Sequence, residues 1–329
     1  MAERSRPEKV LVTGASGFVG RYIVRELIAR GYGAVCLARD PDKMRRALPD
    51  APPAQLSVVR GDLHDAAALD RAAGRAQAVI HLVGVIFERS LRGQTFSRIH
   101  VEGTRRVMDA AKRAGIGRFV HMSALGARPD APSEYHRTKY QAEEIVRNCG
   151  LHWTIFRPSI IHGPDGEFMQ LMKTFVSCRP VWQFGVIPQQ VPVIPYFGRG
   201  DRRIQPVSVR DVAFCFVAAL DREETFGKCF DLGGPEALSW KELYAVCKQT
   251  IPGAVRLKPM VSLPVPVARF MAHTLMRTPL LPLPLRFNVG QVEMSQEDSV
   301  CDLRPVEASF GITLRDFRFE LRQYADQIR

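Results

Sequence analysis

Short apolar runs alternate with amphipathic stretches over the first half of the chain. The run at residues 10–13 is rich in β-branched side chains and predicts a buried strand. Beyond a glycine-rich turn, apolar residues recur at helical spacing up to Gly31, which supplies a stop signal. These positions are Val19, Ile23, Leu27 and Ile28. Further apolar runs predict strands at residues 34–38, 56–60, 78–83 and 119–122. Strands that alternate with helices predict an α/β fold with a parallel sheet.

The first strand runs directly into TGASGFVG, residues 13–20, and then into the first helix. Gly14 permits the tight turn, and a backbone without side chains lets a pyrophosphate approach. The helix N-terminus offers free N–H groups and the positive end of its dipole to that anion. We therefore predict a Rossmann-type doubly wound sheet that binds a dinucleotide. The expected contacts from this turn are Gly14, Ser16, Gly17, Phe18, Val19 and Gly20.

The second predicted strand ends at Arg39 and Asp40, where the adenosine ribose of a dinucleotide would lie. An acid there would bind the 2′-hydroxyl of NAD(H), whereas an arginine would pair with the 2′-phosphate of NADP(H). Arg39 comes first and Lys43 adds positive charge, so NADP(H) is preferred and NAD(H) stays open. Asp40 is then expected to be an N-cap or turn residue before Pro41.

The stretch SEYHRTK places Tyr135 and Lys139 four residues apart, which stacks their side chains on one face of a helix. Ser123 ends an apolar strand shortly before them. An unperturbed tyrosine has a pKa of ~10 and is a poor proton donor or acceptor at neutral pH. A nearby ammonium group can lower that pKa and make proton transfer feasible. The alternative is a helix face that only binds a cofactor.

Nine segments in order resemble the short-chain dehydrogenase/reductase superfamily, in its extended and atypical, epimerase/dehydratase-like branches. They are TGASGFVG (13–20), RGDL (60–63), HLVG (81–84), IHVEGT (99–104), FVHMSALGA (119–127), YHRTK (135–139), FRPSIIHGP (156–164), QPVSVRDVA (205–213) and FDLGGPE (230–236). The combination SALGA, Y-x-x-x-K, IHVEG and FDLGGPE is most similar to the NADPH-binding accessory subunits of respiratory complex I and their bacterial relatives.

This resemblance implies a Rossmann domain, residues 8–160 plus 204–235. It also implies a smaller C-terminal α/β domain for substrate or partner, residues 161–203 plus 236–329. In the cofactor site it implies that Asp62 contacts the adenine with Leu63 against the ring, and that the backbone of Val83 and Gly84 lines the adenosine and ribose. Arg157 and Pro158 would follow the strand that reaches the nicotinamide.

The superfamily's mechanism assigns three catalytic roles. Tyr135 would move the proton on the substrate oxygen, Lys139 would hold the nicotinamide ribose, and Ser123 would bind the substrate carbonyl. His100 stands where many relatives have asparagine, and the connection from Ser123 to Tyr135 is shorter than in sugar-nucleotide epimerases.

Three functions follow as expectations. The first is an NAD(P)-dependent oxidoreductase acting on a carbonyl or hydroxyl group of a small or lipophilic molecule. The second is a non-catalytic NADP(H)-binding structural or assembly subunit of a membrane respiratory complex. A sugar-nucleotide epimerase or dehydratase ranks third, because of the short connection and the apolar second domain.

Net charge and cysteine usage indicate the kind of partner and the cellular compartment. The formal charge of +12 and the pI near 9.7 indicate an acidic partner, but the charge is not clustered, which disfavours nucleic acid. Seven cysteines without a C-x-x-C pair indicate a reducing compartment, and no histidine spacing indicates a metal. No signal peptide or apolar run of the ~18 residues a membrane span needs is apparent. We expect a cytoplasmic protein, with a peripheral position on the inner membrane as an alternative.

Residues 243–292 contain no acidic side chain and include several prolines. Within them VARFMAHTLMRT, residues 267–278, predicts a short helix that carries Arg269, His273 and Arg277 on one stripe. A basic stripe beside bulky apolar residues is typical of a helix that lies on an anionic membrane surface. The alternative is an ordinary helix with a solvated basic side.

Overall fold

The structure is a computed structural model that describes residues 7–88, 93–177, 181–183, 187–189, 192–274 and 287–328. The strands are β1 (Lys9–Thr13), β2 (Gly33–Ala38), β3 (Leu56–Arg60), β4 (Ala78–His81), β5 (Arg118–Met122), β6 (His152–Pro158), β7 (Ile161–His162), β8 (Val181–Gln183), β9 (Ile187–Gln189), β10 (Ile194–Phe197), β11 (Arg203–Ile204), β12 (Val207–Ser208), β13 (Lys228–Leu232), β14 (Leu238–Ser239) and β15 (Met260–Leu263). The helices are α1 (Phe18–Ala29), α2 (Pro41–Ala47), α3 (Ala66–Ala73), α4 (Gly103–Arg113), α5 (Glu134–Arg147), α6 (Glu167–Val176), α7 (Val209–Ala218), α8 (Trp240–Thr250), α9 (Val265–His273), α10 (Val289–Met294), α11 (Arg304–Phe310) and α12 (Phe317–Tyr324).

The main sheet has the strand order β13-β6-β5-β4-β1-β2-β3, and every pair in it is parallel. The predicted α/β class and doubly wound sheet are confirmed. The order reverses at β1, whose neighbours are β2 on one side and β4 on the other. Thr13 pairs with His81, so β1 and β4 end side by side. In sheets of this kind ligands bind outside the carboxyl ends of the strands at this reversal.

Two hydrophobic layers cover the faces of the sheet. One face packs against α1, α7 and α11, and the other against α3 and α4. The strands carry Val, Ile, Leu and Ala on both faces because both faces are buried. These layers hold the carboxyl ends of the strands in fixed register and so define one edge for a site.

A third hydrophobic cluster lies within the later part of the chain and joins α6, α8 and α12. Short two-stranded sheets accompany it, among them β10 with β15 and β11 with β14. Helix α11 packs instead against the main sheet, through Val306 and Phe310. The division of the chain into two domains at the residues given above stays a prediction.

The predicted helix at residues 267–278 is observed over its first part as α9, Val265–His273. Arg277 lies outside the described residues. Among the helices that the structure describes, none combines the length and the apolar character that a membrane span requires.

Candidate cofactor and active site

The glycine turn after β1 folds as the sequence predicts. Gly14 has a φ of +79°, which favours glycine, and its carbonyl oxygen accepts the N–H of Gly17 at 3.0 Å. A Cβ on Gly20 would lie 2.2 Å from that same carbonyl oxygen and 2.7 Å from the Cα of Ala15. Only glycine at this position lets the first turn of α1 pack directly on the loop. A Cβ on Gly14 would lie 3.3 Å from a methyl group of Val83, so the turn is adjacent to the end of β4.

Helix α1 begins without a side-chain cap. Gly17 is the N-cap residue, no acidic side chain lies in the first turn, and Ser16 and Gly17 are exposed. The first N–H groups of a helix have no partner within the helix, and a phosphate can accept from them. Phe18 and Val19 are half-buried, and the Phe18 ring packs on the backbone of Gly163 and Gly166. The turn therefore presents the donors and the side-chain-free surface that a pyrophosphate requires.

At the end of β2, Arg39 is exposed and forms no hydrogen bond or ion pair with any described residue. The carboxylate of Asp40 is the N-cap of α2 and accepts the N–H of Lys43 at 2.9 Å, as expected for a capping residue. A second arginine, Arg60, ends β3 and pairs in register with Ala38, directly before Arg39. Two exposed guanidinium groups thus end neighbouring strands. The sequence reading did not single out Arg60.

The RGDL segment forms a local turn on the same edge. The carboxylate of exposed Asp62 accepts the N–H of His64 at 2.7 Å, while Leu63 is buried. A Cβ on Gly103 would lie 2.7 Å from a methyl group of Leu63, so the IHVEGT segment packs closely on this leucine. Asp62 and Leu63 therefore lie at the edge where the resemblance places the adenine.

Lys139 lies at the centre of the candidate active site. Its side chain is 2% exposed, and Nζ donates to the carbonyl oxygen of Met122 at 2.7 Å. Nζ also lies 3.3 Å from where a Cβ on Gly84 would be. Lys139 therefore lies between the ends of β4 and β5. Burial lowers the pKa of Lys139 to about 8, with Glu143 acting in the opposite direction.

Ser123 follows β5 directly, and its hydroxyl is buried with no hydrogen-bond partner among the described residues. The backbone N–H of Ser123 donates to the carbonyl oxygen of Phe156 at 2.7 Å, which fixes the position of this serine. A buried hydroxyl without a partner is unfavourable unless a ligand completes it. Pro158 is buried at the end of β6 and accepts the N–H of Leu125 at 3.0 Å. Ser123 and Pro158 thus lie on the same edge as Lys139.

Tyr135 is the second residue of α5, one turn before Lys139. Its ring packs edge-on against Phe96 and His100, with centroids 6.0 and 5.5 Å away. Burial raises the pKa of Tyr135 to about 12. The expected lowering by Lys139 is therefore not produced by the side chains alone, because desolvation of the phenolate outweighs any effect of the lysine. Lys139 instead directs its ammonium group to Met122.

His100 lies in a π-helical turn, Ser97–Glu102, that precedes α4. Its Nε2 accepts the N–H of Val85 at 3.1 Å, so Nδ1 must carry the proton that is shared with Thr138 Oγ1 at 2.9 Å. Burial lowers the pKa of His100 to about 2, and the Lys139 charge adds to this. The neutral imidazole thus connects the β4 loop to helix α5. A π-turn often marks a functional site.

Two further histidines line the same interior. His81 is buried, and its ring nitrogens lie 2.6 Å from Thr13 Oγ1 and 3.1 Å from Thr104 Oγ1, as expected for a satisfied core residue. His121 stacks on His81 and is equally buried, but neither of its ring nitrogens has a partner among the described residues. Burial lowers the pKa of both rings, that of His81 to about 3.

An ion-pair cluster that the sequence reading missed holds α5 in place. Glu143 is fully buried and accepts two hydrogen bonds from Arg157, each 2.7 Å long, and a third from Arg147 at 2.8 Å. Glu143 follows Lys139 by one helical turn, and an acid on that buried face was the available signal. Arg157 therefore joins β6 to the helix that carries Tyr135.

The comparisons with known proteins identify the family. The sequence model of the NAD dependent epimerase/dehydratase family matches residues 10–233. The chain belongs to this family. The expected superfamily and an NAD(P)-binding Rossmann fold are confirmed.

Among curated relatives, the chain is 30% identical over 298 residues to the NADH dehydrogenase [ubiquinone] 1 alpha subcomplex subunit 9, mitochondrial, of Arabidopsis thaliana, covering 88% of this chain and 70% of that one. It is 34% identical over 212 residues to the ceramide reductase of Caulobacter vibrioides, covering 63% of this chain and 60% of the relative. It is also 30% identical over 250 residues to a (4-alkanoyl-5-oxo-2,5-dihydrofuran-3-yl)methyl phosphate reductase of Streptomyces griseus, with 76% of each chain covered. The family thus includes reductases and respiratory-complex subunits similar to this chain.

Two solved structures share the fold across almost the whole length. The structure of gox2253 superposes with a TM-score of 0.70 at 23% identity and covers 97% of both chains. MoeE5 in complex with UDP-glucose and NAD superposes with a TM-score of 0.68 at 20% identity, covering 97% of this chain and 98% of that one. At these identities the likeness shows the fold alone.

Proposed function

We propose that the protein is an NADP(H)-dependent reductase acting on a carbonyl group of a small or lipophilic molecule. The observation that carries the proposal is the pairing of Ser123 and Lys139 at one sheet edge. The Ser123 hydroxyl is buried without a partner, and Lys139 is buried beside Gly84 at the end of β4. A protein that only bound the cofactor would use Lys139 but would have little reason to keep the Ser123 hydroxyl there.

The residues present fit a dinucleotide. The cradle at Gly14, Gly17 and Gly20 has no room for a Cβ at its third glycine, and the uncapped start of α1 supplies donors for a pyrophosphate. Val83 and Gly84 lie between this turn and Lys139, where they would line the ribose. The adenine would lie by Asp62 and Leu63, the phosphates by Ser16, Phe18 and Val19, and the nicotinamide near Pro158.

NADP(H) rather than NAD(H) is proposed because positive charge predominates at the end of β2. Arg39 and Arg60 end adjacent strands, whereas the carboxylate of Asp40 is engaged as a helix cap. A guanidinium group binds a phosphate through charge and directed hydrogen bonds. One carboxylate oxygen of Asp40 is thus already used by the helix N-terminus.

Bound NADPH would supply the hydride for carbonyl reduction. The chain's own residues would handle the substrate oxygen: Ser123 donates a hydrogen bond to it and Tyr135 delivers the proton. Lys139 holds the cofactor ribose and places a positive charge one helical turn from the phenol. Since burial alone raises the pKa of Tyr135, charge from the assembled site has to favour its ionised form during turnover.

The substrate class is proposed from the relatives. Ceramide reductase and the furan-type phosphate reductase are both named for reductions, and the first acts on a lipid. The smaller domain, residues 161–203 plus 236–329, would hold the substrate. The protein would work in the cytoplasm, against the inner membrane if its substrate is a lipid, without a role for nucleic acid.

The direct test is a titration of the purified protein with NADPH, followed by challenge of the complex with a panel of aldehydes, ketones and quinones. We expect NADPH oxidation with at least one class. Tyr135→Phe should remove that turnover and leave NADPH binding within about threefold, because the phenol acts in the chemical step. Turnover that survives this substitution undiminished would rule out the proton-transfer role.

A second candidate is a non-catalytic NADP(H)-binding subunit or assembly factor of a membrane respiratory complex. Similarity to a mitochondrial NADH dehydrogenase subunit over 88% of the chain favours it. Tagged purification from detergent-solubilised membranes separates the two functions. Co-purification of respiratory subunits without turnover would favour the subunit, and turnover by a lone protein would favour the reductase. The neighbours that bind UDP-sugars share only the fold, so an epimerase or dehydratase ranks last.

A further inference from the structure

Exposed bulky apolar side chains are concentrated in one short part of the chain. Leu257 is 94% exposed and Phe270 68%, and three more large apolar residues between them are exposed by more than a third of their surface. These three are Met260, Val261 and Val267. They occupy the turn before β15, the strand β15 itself and the first turns of α9. We call these five residues the apolar ridge.

Helix α9 buries small side chains and exposes large apolar ones. Ala268 and Ala272, one turn apart, are buried against the protein, while Val267 and Phe270 face outward. A helix on a soluble surface normally buries its larger apolar side chains and exposes its small or polar ones. Exposure of a phenylalanine and a valine on the outer face indicates that another apolar phase covers them.

The charge around the apolar ridge is positive. Arg256 and Arg269 are exposed beside it, and no acidic residue occurs between positions 243 and 292. Glu293 on α10 lies 3.8 Å from Arg269 and is the acidic group that faces this side chain. Arg256 forms no ion pair with any residue that the structure describes. Positive charge beside protruding aliphatic and aromatic side chains complements anionic headgroups above a hydrocarbon layer.

The ridge is also linked to the candidate active site. Arg269 on α9 reaches Glu293 on α10, and α10 begins beside the start of α5: a Cβ on Gly290 would lie 3.7 Å from Ser133. The side chain of Asn288 donates to the carbonyl oxygen of Ile86 at 3.2 Å, in the loop after β4. Helix α10 therefore contacts both α9 and the start of α5, the helix that carries Tyr135.

We propose that the apolar ridge docks the protein onto a membrane surface that contains anionic phospholipid. Leu257, Val267 and Phe270 enter the headgroup–acyl boundary, and Arg256 and Arg269 bind the lipid phosphates. The docking stands on the ridge alone. Its use to admit a lipophilic substrate past α10 rests on the proposed reductase function.

The test is flotation of the full-length protein with phosphatidylcholine vesicles that do or do not contain phosphatidylglycerol. We expect binding to the anionic vesicles, weaker binding to the neutral ones, and a decrease as salt is raised. Phe270→Ser should weaken vesicle binding by about tenfold. Arg256→Gln should weaken it by about fivefold on anionic vesicles and much less on neutral ones.

The matched control is Phe319→Ser. Phe319 is 63% exposed on α12, outside the ridge, and its replacement should leave vesicle binding unchanged. No binding of the wild-type protein to either vesicle, or equal losses for Phe270→Ser and Phe319→Ser, would overturn the proposal. So would a large fall in the melting temperature of Phe270→Ser, since the chain itself would then cover the ridge.

A protein partner is a further outcome. If the wild-type protein ignored both vesicles but sedimented with native membranes through Phe270, a membrane protein would replace the lipid as occupant, and the proposal would fail. NADPH titration of each variant keeps the two hypotheses apart. Vesicle binding can fail while cofactor binding and turnover persist, and the reverse is equally measurable.

Discussion

Arg157 and Glu143 are joined by two hydrogen bonds, each 2.7 Å long, between the end of β6 and the buried face of α5. Glu143 has no exposed surface, and Arg147 pairs with it from the same helix. The cluster raises the pKa of Arg157 through its hydrogen bonds to Glu143. It joins the strand that ends at Pro158 to the helix that carries Tyr135 and Lys139.

Replacement of Glu143 by glutamine should therefore destabilise the protein. It removes the buried negative charge between two partly buried guanidinium groups, for a loss of about 3 kcal/mol in the free energy of unfolding. Arg147 then retains only its more exposed partner Glu144, and Arg157 retains Asp231 at 3.9 Å. Urea denaturation measures the change. Glu144→Gln is the control, because Glu144 is nearly half exposed and, among the described residues, its carboxylate pairs with Arg147 alone. Equal stability of the Glu143 variant and the wild type would show that this cluster does not hold α5.

Gly20→Ala should abolish cofactor binding or folding. The added Cβ would lie 2.2 Å from the carbonyl oxygen of Gly14, and backbone cannot yield to it cheaply. Gly117→Ala is the matched control, since a Cβ there meets nothing within 4 Å and no positive φ is present. We expect NADPH affinity to fall at least about 100-fold for Gly20→Ala or the protein to be insoluble, and the control to be within about twofold. Unchanged NADPH affinity of Gly20→Ala would exclude the glycine turn as the phosphate site.

Arg39→Ser should change the cofactor preference. Loss of its guanidinium group should weaken NADPH binding by about 10- to 100-fold and leave NADH binding within about twofold, because only NADPH carries the 2′-phosphate. Fluorescence titration with both cofactors measures the ratio. Arg71→Ser, an exposed arginine on α3, controls for net charge. The NADP(H) preference is wrong if the wild-type protein binds NADH at least as tightly as NADPH.

Local features of this site could be predicted from the sequence, and long-range ones could not. The turn at Gly14, the start of α1 and the cap at Asp40 each depend on a few consecutive residues with strong conformational preferences. The Glu143–Arg157 ion pair depends on how α5 packs on β6, which no single segment determines. Arg60 was missed because its position beside Arg39 follows from strand order.

The pKa values of the site residues could likewise not be predicted from the sequence. The spacing of Tyr135 and Lys139 correctly places them on one helix, but spacing does not reveal that Lys139 is buried while Tyr135 is half-buried. Among the chain's own groups, desolvation raises the pKa of Tyr135, and the ammonium group of Lys139 donates to the carbonyl oxygen of Met122. Desolvation depends on everything packed around a group, so it becomes visible only in the fold.

Cofactor binding should weaken as the pH rises through about 8. Burial lowers the pKa of Lys139 to about 8, so its ammonium group loses a proton there and can no longer donate with full charge to the ribose. The dissociation constant of NADPH should increase about fivefold between pH 8 and 9. In Lys139→Met, NADPH should bind more weakly than in the wild type at pH 7, and its dissociation constant should not change between pH 8 and 9. A flat profile for the wild-type protein would contradict the assignment.

The stability of the same variant provides an independent check. The unfolded chain binds the Lys139 proton up to a pKa of ~10.4, whereas the folded chain releases it near 8, so stability rises with pH between those values. The buried ammonium group therefore destabilises the fold at pH 7. Lys139→Met should raise the melting temperature at pH 7 and at the same time lower the affinity for NADPH. A lower melting temperature would indicate that the bond to Met122 outweighs the desolvation.

His100→Asn should make the fold less sensitive to acid. His81, His100 and His121 are buried and neutral, with pKa values lowered by burial, while the unfolded chain takes up these protons at a pKa of ~6.5. Below pH 6.5 the unfolded state thus binds more protons than the folded state, so the free energy of unfolding decreases as the pH is lowered. Each ring should cost up to about 2 kcal/mol at pH 5 relative to pH 6.5. Asparagine at position 100 keeps one donor and one acceptor in its amide, but it cannot take up a proton. Urea denaturation at pH 7 and 5 should show a smaller loss of unfolding free energy for His100→Asn than for the wild type.

The control is His273→Asn, at an exposed position on α9, which should reproduce the wild-type loss. An unchanged loss in His100→Asn would mean that His100 is protonated in the folded protein, which would break its bond to Val85.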